Sequence, residues 1–258
     1  MSIPEGVDFT ALIPARYAST RLPGKPLADL GGRPMVVHVA ERARASGALR
    51  VVIATDDARI ADAVRAHGFD ALMTRADHAT GTDRLAEAAA LLGLGDDEIV
   101  VNVQGDEPFI NGAALQGAAG CVTGGRFELG TAAAHAPLAA LETPHVVKVV
   151  CADDGRALYF SRAGIPALRD GQDLPVLEGT VRQHIGVYAY TPRALRRWVS
   201  LPEHPLERIE RLEQLRPLAA GMAMGVATID EAPPGGLDTE DDLTRANENW
   251  THLSADVK

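Results

Sequence analysis

An apolar run that ends in a cluster of fixed positive charge limits what this chain can be. Phe9 to Pro14 reads as a buried strand. The stretch ALIPARYASTRLPGKPLADLGGRP, Ala11 to Pro34, carries it into a loop with Arg16, Arg21 and Lys25, together with Ser19, Thr20, Gly24 and the prolines Pro14, Pro23 and Pro26. A helical pattern resumes at Pro34. Cationic side chains and free backbone N–H groups therefore gather between a first strand and a first helix. In an open α/β sheet, ligands bind beyond the carboxyl ends of strands. Arg offers a planar fork of donors and Lys a compact charge, and both suit phosphate oxygens. The loop reads as a triphosphate grip; the alternative is a solvated Gly/Pro turn. Neither common phosphate motif fits. Pro26 follows Lys25 where GxxxxGK[ST] needs a hydroxyl, and GxGxxG is absent. The missing glycine fingerprint also argues against an NAD dehydrogenase.

Downstream, apolar strands alternate with helical patterns. Arg50–Thr55 and Asp70–Thr74 read as strands, and Val36–Ala45 and Arg59–His67 as helices. That pace predicts βαβ units and a largely parallel sheet. Asp57 is placed to cap the helix that follows it. In TRADHATGTDRLAEAA the second half reads as a helix, with Thr82 as its N-cap and Glu87 on its surface. Glu98–Gln104 is the strongest strand pattern and runs into Gly-Asp-Glu-Pro. A carboxylate there can hold a metal or substrate, with Asp106 the candidate and Glu107 its competitor; an ordinary turn is the alternative. Leu129–Ala136, His145–Ala152, His184–Tyr190 and Met224–Ile229 read as further strands, and Gln172–Thr180 as a turn-rich excursion. Leu206, Ile209, Leu212 and Leu215 recur in steps of three, which predicts one helix over Leu206–Leu218. Thr239 is placed to cap a last helix. Spacing and composition change after about Thr123, so the chain divides into residues 1–123 and 124–258 within one domain.

The 258 residues carry a formal net charge of −10, which makes the basic loop a local exception and argues against nucleic-acid binding. No apolar run approaches the ~20 residues of a membrane span. MSIPEGVD lacks the pattern of a signal peptide. Cys121 and Cys151 have no metal-type spacing and read as reduced thiols. A cytoplasmic protein is the expectation.

The wording of these segments is specific. PARYASTRLPGKPL, TRADH–x–x–G–T–[DE]–R, NVQGDEP, YFSR with HIGVY, PLE–x–I–E–x–LEQLR and GLDTEDDL resemble, in that order and over Ile13 to Leu243, the 3-deoxy-manno-octulosonate (Kdo) cytidylyltransferases, or CMP-Kdo synthetases. The resemblance implies a Rossmann-like mixed, mainly parallel sheet of the nucleotide-diphosphosugar transferase type, with a smaller sugar-binding and dimerisation lobe. It implies transfer of CMP from CTP to Kdo for lipopolysaccharide synthesis, with pyrophosphate released, Mg²⁺ as cofactor and a homodimer. By the same resemblance, Arg16, Arg21 and Lys25 grip the phosphates, and Asp106 and Asp238 hold Mg²⁺. The CTP site further takes in Ala15, Ser19, Thr20, Arg75, Asp77, Thr80, Gly81, Arg84 and Gln104. The sugar faces Gln104, Arg162, His184, Tyr188, Glu213 and Gln214. The loop from Ala167 to Thr180 departs from the family's wording. Alternatives are another acidic sugar, such as 8-amino-Kdo or sialic acid, or a non-catalytic nucleotide-sugar-binding relative.

Overall fold

Alternate residues of the first apolar run face opposite ways. The computed structural model, which describes residues 6–18 and 22–255, puts Ala11, Ile13 and Ala15 against one layer of helices and Leu12 against another. A strand buried on both faces reads as a continuous apolar run, and parallel sheets covered by helices are built from such strands.

The elements in chain order are β1 (Thr10–Ala15), the short hairpin β2 (Asp29–Leu30) and β3 (Arg33–Pro34), α1 (Met35–Ala45), β4 (Arg50–Thr55), α2 (Ala58–Ala66), β5 (Asp70–Met73), α3 (Gly81–Leu91), β6 (Val100–Asn102), α4 (Gly112–Val122), β7 (Leu129–His135), β8 (Lys148–Cys151), β9 (Ala157–Ser161), α5 (Leu174–Glu178), β10 (Arg182–Tyr190), α6 (Pro192–Ser200), α7 (Pro205–Glu210), α8 (Leu215–Ala219), β11 (Met224–Ile229), α9 (Glu240–Glu248) and α10 (Trp250–Ala255). The main sheet runs β11-β7-β10-β6-β1-β4-β5. Its pairings are parallel except on either side of β10, which runs against both β6 and β7. β8 pairs β10, and β9 pairs β8. One continuous sheet thus joins both halves of the chain. On one face α1, α2 and α4 bury Val36, Ile60 and Leu115; on the other α3 and α6 bury Leu85, Leu195 and Trp198.

Three local expectations are corrected. The helix α3 begins one step earlier than Thr82 implied: its N-cap is Thr80, in extended backbone, whose hydroxyl accepts from Asp83 N while the Asp83 carboxylate accepts from Thr80 N. That reciprocal pair satisfies two N-terminal donors, and Thr82 becomes a buried first-turn residue. Strand β6 is shorter than Glu98–Gln104, because Gln104 already belongs to the turn at its end. The single helix over Leu206–Leu218 is two, α7 and α8, broken at Arg211 in the left-handed region (φ 54°). Ile209 lies off any apolar face at 76% exposure. Asp57 caps α2 and Thr239 caps α9 as their positions predicted.

Candidate active site

The carboxyl ends of β1 and β6 open into a cleft of about 300 Å³, lined by Pro14, Ala15, Arg16, Lys25, Pro26, His78, Ala79, Thr80, Gly81, Arg84, Gln104, Gly105, Asp106 and Asp238. Its floor requires close approach of two chains. A Cβ on Gly105 would lie 2.8 Å from the Pro14 carbonyl oxygen, so only glycine lets the turn after β6 rest on β1. The wall formed by the basic loop is pinned at Gly24, which has φ 68° and donates to the Tyr17 carbonyl at 3.1 Å. Tyr17 in turn carries the Arg59 guanidinium over its ring at 3.5 Å, and Arg59 is paired with Asp57. Ser19, Thr20 and Arg21 lie outside the described residues.

Lys25 is the centre of the charged end. Its Nζ donates to Asp106 Oδ2 at 2.6 Å and to Asp238 Oδ1 at 2.7 Å, partners 81 and 213 residues away. Asp238 is brought there by the last part of the chain. Leu237 N donates to the Asp106 carbonyl, and the Asp242 carboxylate accepts from the backbone N–H of both Asp238 and Thr239. Beyond it, Asn247 bonds Gly31 and Asp29 of the β2–β3 hairpin, and Trp250 stacks on His38. Glu107, weighed above as a competitor for the metal, lies differently. Burial, with Asp106 beside it, pushes its carboxyl up to about 8. A carboxyl held neutral at pH 7 leaves the charged role to Asp106.

The opposite wall is the start of α3. Arg84 is buried, donates to Thr74 Oγ1 at 2.7 Å and faces Asp56 at 3.4 Å. His78 lines the cleft and pairs with Glu87, which also accepts from Arg75 N and is held below the usual carboxylate range chiefly by the His78 bond. Sequence reasoning gave no role to His78, Asp56 or Asp242; the spacing Thr80-x-x-Asp83 and the analogous Thr239-x-x-Asp242 was the signal for the caps that fix two of these walls. Arg75 and Asp77 pair with each other at 2.9 Å on the exposed rim and do not line the cleft.

Beyond the cleft lining, residues at the helix break form a buried polar cluster. Glu213 Oε2 accepts from Thr82 Oγ1 at 3.1 Å, while Glu213 Oε1 and Gln214 Nε2 are buried with no hydrogen-bond partner among the described residues. Burial pushes the Glu213 carboxyl up. Tyr188 stands edge-on to Trp198, and its phenol is pushed up by burial and then by Glu213. Gln104 links the two regions: it lines the cleft and donates to Asn102, whose register partner on β10 is Tyr188.

Arg162 and His184 are placed one layer further back. The Arg162 guanidinium donates to the main-chain carbonyls of Glu210, Pro144 and Arg211, bracing the left-handed turn that presents Glu213 and Gln214. Its own carbonyl accepts from the fully buried Lys148. The His184 ring packs between Phe160 and Tyr188. Thr131 Oγ1 donates to the Val187 carbonyl at 2.6 Å, so it accepts from His184 Nε2, which carries the proton. Burial lowers this imidazole to about 3.

Magnesium would meet hard oxygen donors here. Two carboxylates already converge on one cation, the Lys25 ammonium, and Mg²⁺ is commonly held by one or two carboxylates with waters and substrate phosphates completing the shell. No group of three or more His, Cys, Asp or Glu arranged to hold a metal ion by itself occurs among the described residues, so the fit is to a metal shared with a ligand rather than to a closed protein cage.

Residues 10–224 match the profile of a family described as cytidylyltransferase. A relative from Gemmatimonas aurantiaca, named 3-deoxy-manno-octulosonate cytidylyltransferase, is 56% identical over 246 residues, 95% of each chain. A second of that name, from Methylococcus capsulatus, is 51% identical over 254 residues, 96% of this chain and 97% of its own. Among solved structures, a CMP:2-keto-3-deoxy-manno-octonic acid synthetase complexed with CTP superposes with a TM-score of 0.86 at 38% identity, covering 95% of this chain and 98% of that one.

Proposed function

The chain belongs to the cytidylyltransferase family, and from that premise we propose that it transfers CMP from CTP to the anomeric hydroxyl of Kdo, giving CMP-Kdo and pyrophosphate for lipopolysaccharide synthesis. The observation that carries the reading is the meeting of Asp106, Asp238 and Lys25 at one cleft, with Glu213, bonded to Thr82 on α3, and Gln214 adding buried polar atoms that have no hydrogen-bond partner among the described residues. One end suits a triphosphate and its metal, the other a polyhydroxy acid.

Phosphoryl-type transfer needs positioning and charge stabilisation more than a covalent nucleophile. Arg16, Lys25 and Arg84, with Arg21, take the phosphate charge. Thr80 and Gly81, at the start of α3, lie where a flat base can approach the backbone, with Ala15 also lining the cleft and Arg75 and Asp77 at the rim; Ser19 and Thr20 are assigned to the nucleotide by the family wording alone. Asp106 and Asp238 are the carboxylates that hold Mg²⁺, which when bound neutralises phosphate charge and lowers the pKa of a nearby hydroxyl. Gln104, Tyr188, Glu213 and Gln214 orient the sugar so that its anomeric oxygen lies in line with the α-phosphorus and opposite the departing pyrophosphate. Arg162 and His184 support that pocket from behind. Residues 1–123 supply most of the nucleotide end and residues 124–258 most of the sugar end, with Gln104 and Asp238 the exceptions.

We further infer a homodimer through the second half, where Leu158, Leu168, Leu174 and Val176 expose apolar surface; sedimentation velocity tests it. Among the described residues no helix is long and apolar enough to cross a membrane. Pyrophosphate release from CTP across Kdo, 8-amino-Kdo and sialic acid tests the activity. Fastest release with Kdo is expected. Preference for either other sugar would redirect the assignment, and no release with any would refute it.

A further inference from the structure

The spot where the proposed function puts the metal is held by an ammonium. Lys25 is 7% exposed, whereas the side chains of Asp106 and Asp238 that grip it are 39% and 41% exposed. Its backbone is fixed as well. Gly24 turns the chain in the left-handed region, and Lys25 begins a one-turn 3₁₀ helix closed by Leu27 N on the Gly24 carbonyl and Ala28 N on the Lys25 carbonyl. The ammonium is therefore delivered to the carboxylates by the fold; it is not a loose surface charge.

A divalent ion entering between these carboxylates would contact the ammonium. It would find one oxygen of each ligand taken, and like charges at contact repel strongly where water is partly excluded. Without any cation, the two aspartates would repel each other and an incoming triphosphate. We propose that Lys25 is the place-holder for the metal: in the nucleotide-free protein it keeps Asp106 and Asp238 together, and the divalent ion enters only with the triphosphate, whose oxygens draw the ammonium away. This rests on the reading of Asp106 and Asp238 as metal ligands.

The exchange keeps a cation on the carboxylate pair in both states, one positive charge before binding and two after. Before binding, two carboxylates share one ammonium. Afterwards, they share a doubly charged ion, and the ammonium faces the phosphates. Metal and nucleotide each strengthen the other's binding by the same factor, because coupling of binding free energies is reciprocal. A lysine is suited to this: its charge is compact and its stem is flexible beyond the fixed backbone.

Mn²⁺ titration followed by electron paramagnetic resonance tests the proposal, with a parallel titration of CTP alone subtracted. Without nucleotide the wild type should bind Mn²⁺ roughly tenfold or more weakly than its CTP complex. Lys25→Met should bind Mn²⁺ without nucleotide roughly tenfold or more tightly than wild type. Adding Asp106→Asn to Lys25→Met should abolish that gain, and Lys25→Arg, which keeps the charge, should not show it. Circular dichroism confirms folding; should Lys25→Met not fold, the wild-type and Lys25→Arg arms decide. Equal Mn²⁺ affinity of the wild type with and without CTP, or no gain in folded Lys25→Met, overturns the place-holder while an Asp106-dependent site in the CTP complex preserves the metal reading. Absence of any Mn²⁺ site dependent on Asp106 or Asp238, even with CTP, removes the metal reading itself.

Discussion

At the mouth of the cleft, Asp106 and Asp238 keep a good part of their surface in water and are held by a lysine. Behind it, Gln214 is 2% exposed, Glu213 has an oxygen with no partner among the described residues, and the His184 imidazole is neutral. The first region works with full charges near solvent, which suits a ligand that brings many charges and a metal. The second works with desolvated polar groups, whose open hydrogen-bonding atoms make binding selective because a ligand lacking the right hydroxyl leaves them unsatisfied. The two are mechanically distinct as well. The charged end is assembled from loops at the ends of parallel strands and from the C-terminal clasp; the polar end depends on one left-handed residue that breaks a helix.

The largest effect is expected at the charged end. Asp106→Asn and Asp238→Asn should each lower kcat by about 10²–10³-fold, the cost of losing one strong transition-state contact, with the circular dichroism spectrum unchanged. Steady-state kinetics at saturating Mg²⁺ checks this, and near-normal turnover in either variant would mean that the carboxylates serve only to hold Lys25.

The next effect belongs to the buried end and shows in stability. His184 titrates at about 3 in the fold, against an ordinary histidine value of 6.5. Its folded pKa is depressed, so the unfolded chain takes up a proton that the folded chain refuses. Its contribution is intact above about pH 6.5 and is lost as pH falls toward 3, with a slope near 1.4 kcal/mol per pH unit. Urea unfolding at pH 7, 6 and 5 should show this slope flattened in His184→Gln relative to wild type. An unchanged slope would mean the ring is not sealed from water.

How much of this could be read from sequence also differs between the regions. Lys25 and Asp106 lie within distinctive local strings beside strand ends, so their place at a cleft was legible. Their pairing was not, since Asp238 approaches Lys25 from 213 residues away and only the sheet and the C-terminal clasp bring it there. Glu213 and Gln214 were singled out by family wording, and their burial was not legible by periodicity. Leu206, Ile209, Leu212 and Leu215 keep a step of three through a break that leaves Ile209 in solvent, because a left-handed residue resets the helix axis without altering the spacing. Thr80 and Thr82 compete for one cap, and the aspartate three residues after Thr80 decides it. The support role of Arg162 rests on main-chain carbonyls, which no side-chain pattern announces.

The smallest predicted effect is a control on both regions. Thr191 caps α6 by accepting from Ala194 N, beyond the end of β10. Thr191→Ala should cost about 1 kcal/mol of stability and leave both Michaelis constants unchanged, as measured by thermal unfolding and initial rates. A change in either constant would show that α6 transmits to the site.

The separation of the two regions is tested most directly by the kinetics of Gln214→Ala. Removing a buried hydrogen-bonding group should raise KM for Kdo by about tenfold to a hundredfold, the equivalent of about 1–3 kcal/mol, with KM for CTP within about twofold of wild type, since Gln214 is absent from the nucleotide cleft. Equal rises in both constants, or a rise for CTP alone, would contradict the division of the site into a charged nucleotide end and a buried sugar end.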